Sequence, residues 1–166
     1  MIVKSGLKRL KTYIEVFRTA INFLNSSNHR VAQFKNYCLA KDIMPRKFYL
    51  DMDVRWNSTY LMLKHLMLCR FVFSAFINSQ SGYAQQHWYI AEKVLEFLEL
   101  FYDSTVALSG VYYPTSPLVL HHILEIATHL ENYENDNQLG DVVVPMKTKF
   151  LKYWKKYPCY ILLHFF

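Results

Sequence analysis

At 166 residues, 52% hydrophobic and 17% aromatic with 13 Tyr and 12 Phe, the chain has the length of one domain or part of a larger one, and too much apolar material for a disordered tail. Four Gly and five Pro argue against an all-β protein built on tight turns. Nineteen Lys and Arg against thirteen Asp and Glu leave a net charge of +6, a balance that favours a polyanionic partner without requiring one.

Leu10, Tyr13, Ile14, Phe17, Ile21 and Leu24 recur at three- and four-residue spacing and predict an amphipathic helix over 7–25, with Lys8, Arg9, Lys11 and Arg18 on its other side. Before it, residues 2–7 read as the end of a helix that begins earlier. Asn25 to Asn28 is a stop and a new cap, and a second helix follows through Val31, Phe34, Tyr37, Cys38 and Leu39 until Pro45. Lys47–Met52 reads as a short strand. Asn57, Ser58 or Thr59 can then cap a helix over about 58–77 that is apolar nearly all round. Residues 78–82 read as a loop. The stripe from Trp88 to Leu108 predicts a long helix closed by Ser109-Gly110. Ser116 as N-cap with Pro117 in the first turn opens another, whose apolar face runs from Leu120 to Leu130. Asn132–Gly140 is a polar linker, Met146–Trp154 a last helix stopped by Pro158, and Tyr160–Phe166 an apolar tail.

Arg55-Trp56-Asn57-Ser58-Thr59-Tyr60 resembles a segment of hAT-family DNA transposases, especially the plant RICESLEEPER zinc-finger BED type. The resemblance extends in order through Ile2-Val3 with Gly6-Leu7, Ser27 with Arg30 and Phe34, Trp88, Phe97-Leu98 with Phe101-Tyr102, Ser109-Gly110 with Tyr113-Pro114-Thr115-Ser116, and Met146-Lys147 with Lys149-Phe150 and Lys152-Tyr153-Trp154. It implies a mainly α chain: an incomplete RNase-H-like fold, with one short strand near 47–52, and several long helices of an inserted helical region. The implied division is 1–60, 61–157 and a divergent tail, 158–166. Pro145 departs from the family pattern, and the tail does not continue into the segment that the family has next, which suggests a premature end.

An RNase-H-like transposase needs three acids around two divalent metals. The resemblance implies that these acids fall outside this chain, so no catalytic residue, metal or cofactor is expected, and no small-molecule substrate. Asp51 and Asp53, two apart on one strand face, read as solvated carboxylates near Arg55. For Trp56 two readings stand together. The resemblance implies that Trp56 stacks on a displaced base, and the neighbouring Arg55 guanidinium can grip phosphate; the residue types at such a junction equally suit Trp56 packing beneath the following helix while Arg55 answers Asp51 or Asp53. Lys147, Lys149, Lys152, Lys155 and Lys156 are the densest basic cluster, either a phosphate contact or a solvated face, and Lys4, Lys8, Arg9 and Lys11 a weaker one. The candidate DNA-binding residues are therefore Arg55, Trp56, Asn57, Ser58, Lys147, Lys149 and Lys152.

His122, Glu125 and His129 share a helix face, but in an order matching no zinc signature, and read as surface or capped histidines. Cys38, Cys69 and Cys159 are odd in number and far apart; they suit a reducing compartment and small buried roles. No signal peptide or membrane span is indicated. The expected function is DNA binding by a catalytically inactive piece of a transposase, in the nucleus. The alternative is a helical interaction or self-association module using its apolar helices.

Overall fold

In the computed structural model, which describes residues 2–52, 55–81, 86–109 and 116–154, the helical periodicities become eight α-helices, and no strand forms among the described residues. They are α1 (Ile2–Leu7), α2 (Lys11–Asn25), α3 (Asn28–Leu39), α4 (Trp56–Met67), α5 (Arg70–Ser81), α6 (Gln86–Leu108), α7 (Ser116–Tyr133) and α8 (Gly140–Trp154).

The expected strand at 47–52 is a correction. A strand exists only as a member of a ladder, and no other extended segment lies among the described residues to pair with this one. Its anchors are side chains instead: Asn25 Nδ2 donates to the Phe48 carbonyl at 2.9 Å.

Other boundaries moved for identifiable reasons. The helix expected over 7–25 is two: three-residue bonds from Arg9 N–H to Gly6 O (2.8 Å) and Leu10 N–H to Leu7 O (3.1 Å) break it just after Gly6, a poor helix former. α3 ends at Leu39, well before Pro45. Asp42 adopts the left-handed conformation (φ 53°), and Ile43 N–H reaches back to Cys38 O (3.0 Å) while Asp42 N–H reaches Leu39 O (3.1 Å), a Schellman closure. The helix expected over 58–77 bends by 85° between α4 and α5. α5 continues to Ser81, so most of the loop expected at 78–82 is helical, with Gly82 outside the described residues. α8 starts at Gly140, ahead of the expected Met146, and runs through Pro145. Gly110, Tyr112–Thr115, Pro158 and the tail also lie outside the described residues. No single helix among them is long and apolar enough to cross a membrane.

By packing, the chain forms two compact units, residues 11–96 and residues 1–10 with 97–166, and α6 supplies residues to each. This division is separate from the one by ancestry expected at 60 and 157. In the 11–96 unit, Ile14, Phe17, Ile21 and Leu24 form the buried stripe of α2. Phe34 meets Phe48, Phe73 and Phe76 with ring centroids 5.3–6.2 Å apart, all tilted or edge-on, and Trp88 receives Phe17 edge-on at 5.0 Å. Burying each such ring contributes roughly 1.5–3 kcal/mol, so this aromatic cluster is a principal source of the unit's cohesion. In the other unit, α1 and α7 pack on α8 around Leu130, Leu139, Val143 and Met146, all fully buried.

Candidate nucleic-acid interface

The junction expected to carry function begins at Arg55, which is exposed and stands in extended conformation (φ −119°, ψ 100°) at the N-cap of α4. Trp56 opens the helix and is buried, 8% exposed. No side chain caps α4, contrary to expectation. Ser58 is used on the preceding turn, where its Oγ accepts from Met52 N–H (2.8 Å) and donates to Arg55 O (2.6 Å). Thr59 is used on Asp51, to which its hydroxyl donates. Asn57 Oδ1 is sheltered and has no hydrogen-bond partner among the described residues.

Asp51 is not solvated, and its cation is not Arg55. Its carboxylate is fully buried and gripped in two places by Arg18, Nε to Oδ1 at 2.6 Å and Nη2 to Oδ2 at 2.5 Å, while Arg18 Nη1 donates to Glu15 at 2.6 Å. Burial alone would raise the Asp51 pKa; the Arg18 and Thr59 hydrogen bonds outweigh it and hold the carboxyl below its ordinary value. Arg18 is shifted upward chiefly by its bond to Asp51. The network fastens the extended segment to α2 and α4. Asp53 lies outside the described residues.

Of the lysine cluster, Lys149 and Lys152 are exposed on α8, whereas Lys147 is held by Glu134 at 2.6 Å; Lys155 and Lys156 lie outside the described residues. A side chain on Gly6 would collide with Met146 Sδ and with the Val142 carbonyl, 2.9 Å from the Cβ position, so glycine lets α1 lie close on α8. Exposed Lys4, Lys8 and Arg9 and exposed Lys149 and Lys152 thus belong to one pair of packed helices and the turn beside it, a pairing invisible in the sequence.

Sequence reasoning missed a groove. Between α3 and residues 45–49 lies a hollow of about 590 Å³, with Leu24, Val31, Phe34, Pro45 and Phe48 among its lining residues and Lys35, Arg46, Lys47 and Tyr49 beside them. Tyr49 is 72% exposed. It also borders a second hollow of about 220 Å³ that Ser58 and His65 help to line. The signal was present in Arg46-Lys47-Phe48-Tyr49, two cations beside two aromatics, but that run reads first as a strand.

The three histidine-face residues do not converge. Glu125 meets His121 (3.3 Å) and His122 (3.2 Å), and His122 Nδ1 lies 3.2 Å from Ser104 Oγ. His129 turns away to the Phe97 carbonyl (2.8 Å) and stacks on the Phe97 ring (5.1 Å, 17°). Among the described residues no group of three His, Cys, Asp or Glu could hold a metal ion. Cys38 and Cys69 are buried free thiols; burial pushes Cys38 up and Cys69 up to about 11, which leaves both protonated. Cys159 lies outside the described residues.

Comparison with known proteins matches residues 1–97 to the ZBED1 RNase-like helical domain, a span that includes the whole 11–96 unit. The chain is 30% identical over 145 residues to zinc finger BED domain-containing protein RICESLEEPER 2 of Oryza sativa subsp. japonica, covering 83% of this chain and 20% of the relative. RICESLEEPER 3 of the same plant is 28% identical over 161 residues, 93% of this chain and 21% of the relative. A Zea mays protein named "Putative AC transposase" is 26% identical over 167 residues, 93% of this chain and 20% of the relative. The chain therefore spans about a fifth of the length of these relatives. No solved structure matches it significantly.

Proposed function

The chain belongs to the ZBED1 RNase-like helical domain family, and from that premise we propose that it binds DNA and carries no catalytic step of its own. The observation that supports this best is where the charge lies. Residues 11–96 hold eleven Lys and Arg against six Asp and Glu, a net +5, whereas the remainder holds eight against seven. The positive unit is thus the one wholly within the family match. The transposase in the name of one relative supplies the polyanion, DNA; a nuclear location follows from the same reading.

In this reading exposed Arg55 contacts phosphate while Trp56 holds the start of α4 in the core, the packing role of the two considered. Lys149 and Lys152 add phosphate contacts from α8, and Lys147, occupied by Glu134, contributes less. Asn57 and Ser58 serve the helix start. Phosphate contacts release counterions, so affinity must fall with salt. Anisotropy titrations of a labelled duplex across a salt series are expected to give a linear decrease of log K with log salt. No binding to duplex or single strand at low salt overturns the proposal.

A second reading, self-association, is favoured by the elbow between α4 and α5, where Leu68 and Phe71 are 60% and 75% exposed. Sedimentation of the Phe71→Ser variant beside the parent tests it; an unchanged monomeric profile for both removes it.

A further inference from the structure

We propose that the groove between α3 and residues 45–49 is a single-strand nucleic-acid site, in which an unpaired base rests against Tyr49 and the apolar floor while Lys35, Arg46 and Lys47 hold the flanking phosphates. The inference rests on the DNA-binding reading and specifies which form of DNA this surface takes. Its occupant follows from charge and shape. Not one of the lining residues is acidic, and three are cations. Three other cations of the same unit are spent internally: Arg18 on Asp51 and Glu15, Arg70 on Glu92, Lys93 on Glu96. Lys35, Arg46 and Lys47 are exposed and meet no carboxylate among the described residues. They offer a phosphate backbone charge that no carboxylate among the described residues consumes.

Duplex phosphates would need only those cations. The floor is different in kind. Phe34 and Phe48 are buried beneath the hollow, and Tyr49 stands in solvent at its edge. A base released from its own stack has an apolar face to bury, and an aromatic platform accepts any of the four bases. The volume, about 590 Å³, falls within the range of small-molecule sites and admits a nucleotide. The platform is also held in advance. On one side of Tyr49 the Phe48 carbonyl is bound by Asn25, and on the other Asp51 is bound by Arg18 and Thr59. Little ordering remains to oppose binding. The second hollow beyond Tyr49, bordered by Ser58 and His65, gives the strand a continuation toward the start of α4.

The test uses the full chain with a labelled oligothymidylate of roughly ten nucleotides and, in parallel, a labelled duplex. Tyr49→Ala is expected to weaken the single strand by about tenfold to a hundredfold and to leave the duplex within about threefold; Tyr49→Phe, which keeps the ring, is expected to retain parental affinity. R46Q/K47Q is expected to weaken the single strand and flatten its salt dependence by about 1.4. Circular dichroism of each variant guards against unfolding, which the exposure of these side chains makes a minor risk. If the parent binds duplex while Tyr49→Ala binds single strand unchanged, this inference falls and the DNA reading stands; if the parent binds neither, both fall. Loss only in R46Q/K47Q, with equal displacement by polyglutamate, would mean that the cations hold any polyanion, acidic peptides included, and overturns the base site.

Discussion

Arg18 and Asp51 stand 33 positions apart, yet the guanidinium and carboxylate meet through two nearly parallel hydrogen bonds, with Asp51 fully buried and Arg18 only 14% exposed. Breaking such a pair from one side leaves an uncompensated buried charge, so Asp51→Ala is expected to cost about 3–5 kcal/mol, read as a lowered urea midpoint. The pair also sets an acid limit. Asp51 has its folded-state pKa below its unfolded value. Its contribution is therefore complete above the ordinary aspartate value of about 4 and is lost as pH falls below it through the folded value. A stability profile by circular dichroism should steepen below about pH 4 in the parent and flatten in Asp51→Asn; equal slopes would remove Asp51 from the acid response. None of this was legible in the sequence. Asp51 presented itself as a strand-end acid beside Arg55, and spacing along a chain carries no information about a partner on another helix. Trp56 illustrates the same limit: an indole at a helix start reads equally as platform or as core, and its burial is not visible in the spacing.

Helices were the most legible part, because periodicity is a property of neighbouring residues. α2, α3, α6 and α7 lie close to where their apolar stripes placed them. The bend between α4 and α5 was not foreseeable from local signals, since Leu68-Cys69-Arg70 contains neither Pro nor Gly. The bend leaves Leu66, Val72, Phe73 and Ile77 buried, while Leu68 and Phe71 beside it stay exposed, so an all-round apolar stretch did not bury every face. The strand misreading has the same origin, since pairing is never local. At Gly6 sequence and structure do meet. Alanine there would favour the isolated helix by about 1 kcal/mol, but its Cβ would meet Met146 Cγ at 2.7 Å and the Val142 carbonyl at 2.9 Å. The methionine can swing aside; the backbone carbonyl cannot without moving α1 off α8. Gly6→Ala is therefore expected to destabilise by about 1–3 kcal/mol net, and Met146→Ala in the same chain to recover only part of it. Urea titration of both variants checks the sign; a more stable Gly6→Ala would mean that α1 is not seated closely on α8.

Across the whole molecule the charge is divided in a way that the linear sequence disguises. The densest run of lysines belongs to residues 97–166, where its five cations are outnumbered by the seven acids Glu99, Asp103, Glu125, Glu131, Glu134, Asp136 and Asp141, and one of those acids already occupies Lys147. The 11–96 unit has its cations spread along the chain, at Lys35, Lys41, Arg55 and the pair Arg46-Lys47 among others, and no long stretch of it looks basic to the eye. Summed over the fold, it nevertheless holds five of the six net charges. Long-range attraction follows the summed charge, and each phosphate contact follows one exposed cation. Two charge reversals of equal size separate these sources. Lys41→Glu with Arg55→Glu changes the basic unit outside its groove, and Lys149→Glu with Lys152→Glu changes α8; all four side chains are exposed, so folding is not at stake. The first pair is expected to lower duplex affinity by about tenfold or more and to reduce the salt slope by about two, the second by less than about threefold. The opposite order would return the principal contact to the lysines of α8 and make the net charge of the 11–96 unit a matter of solubility alone.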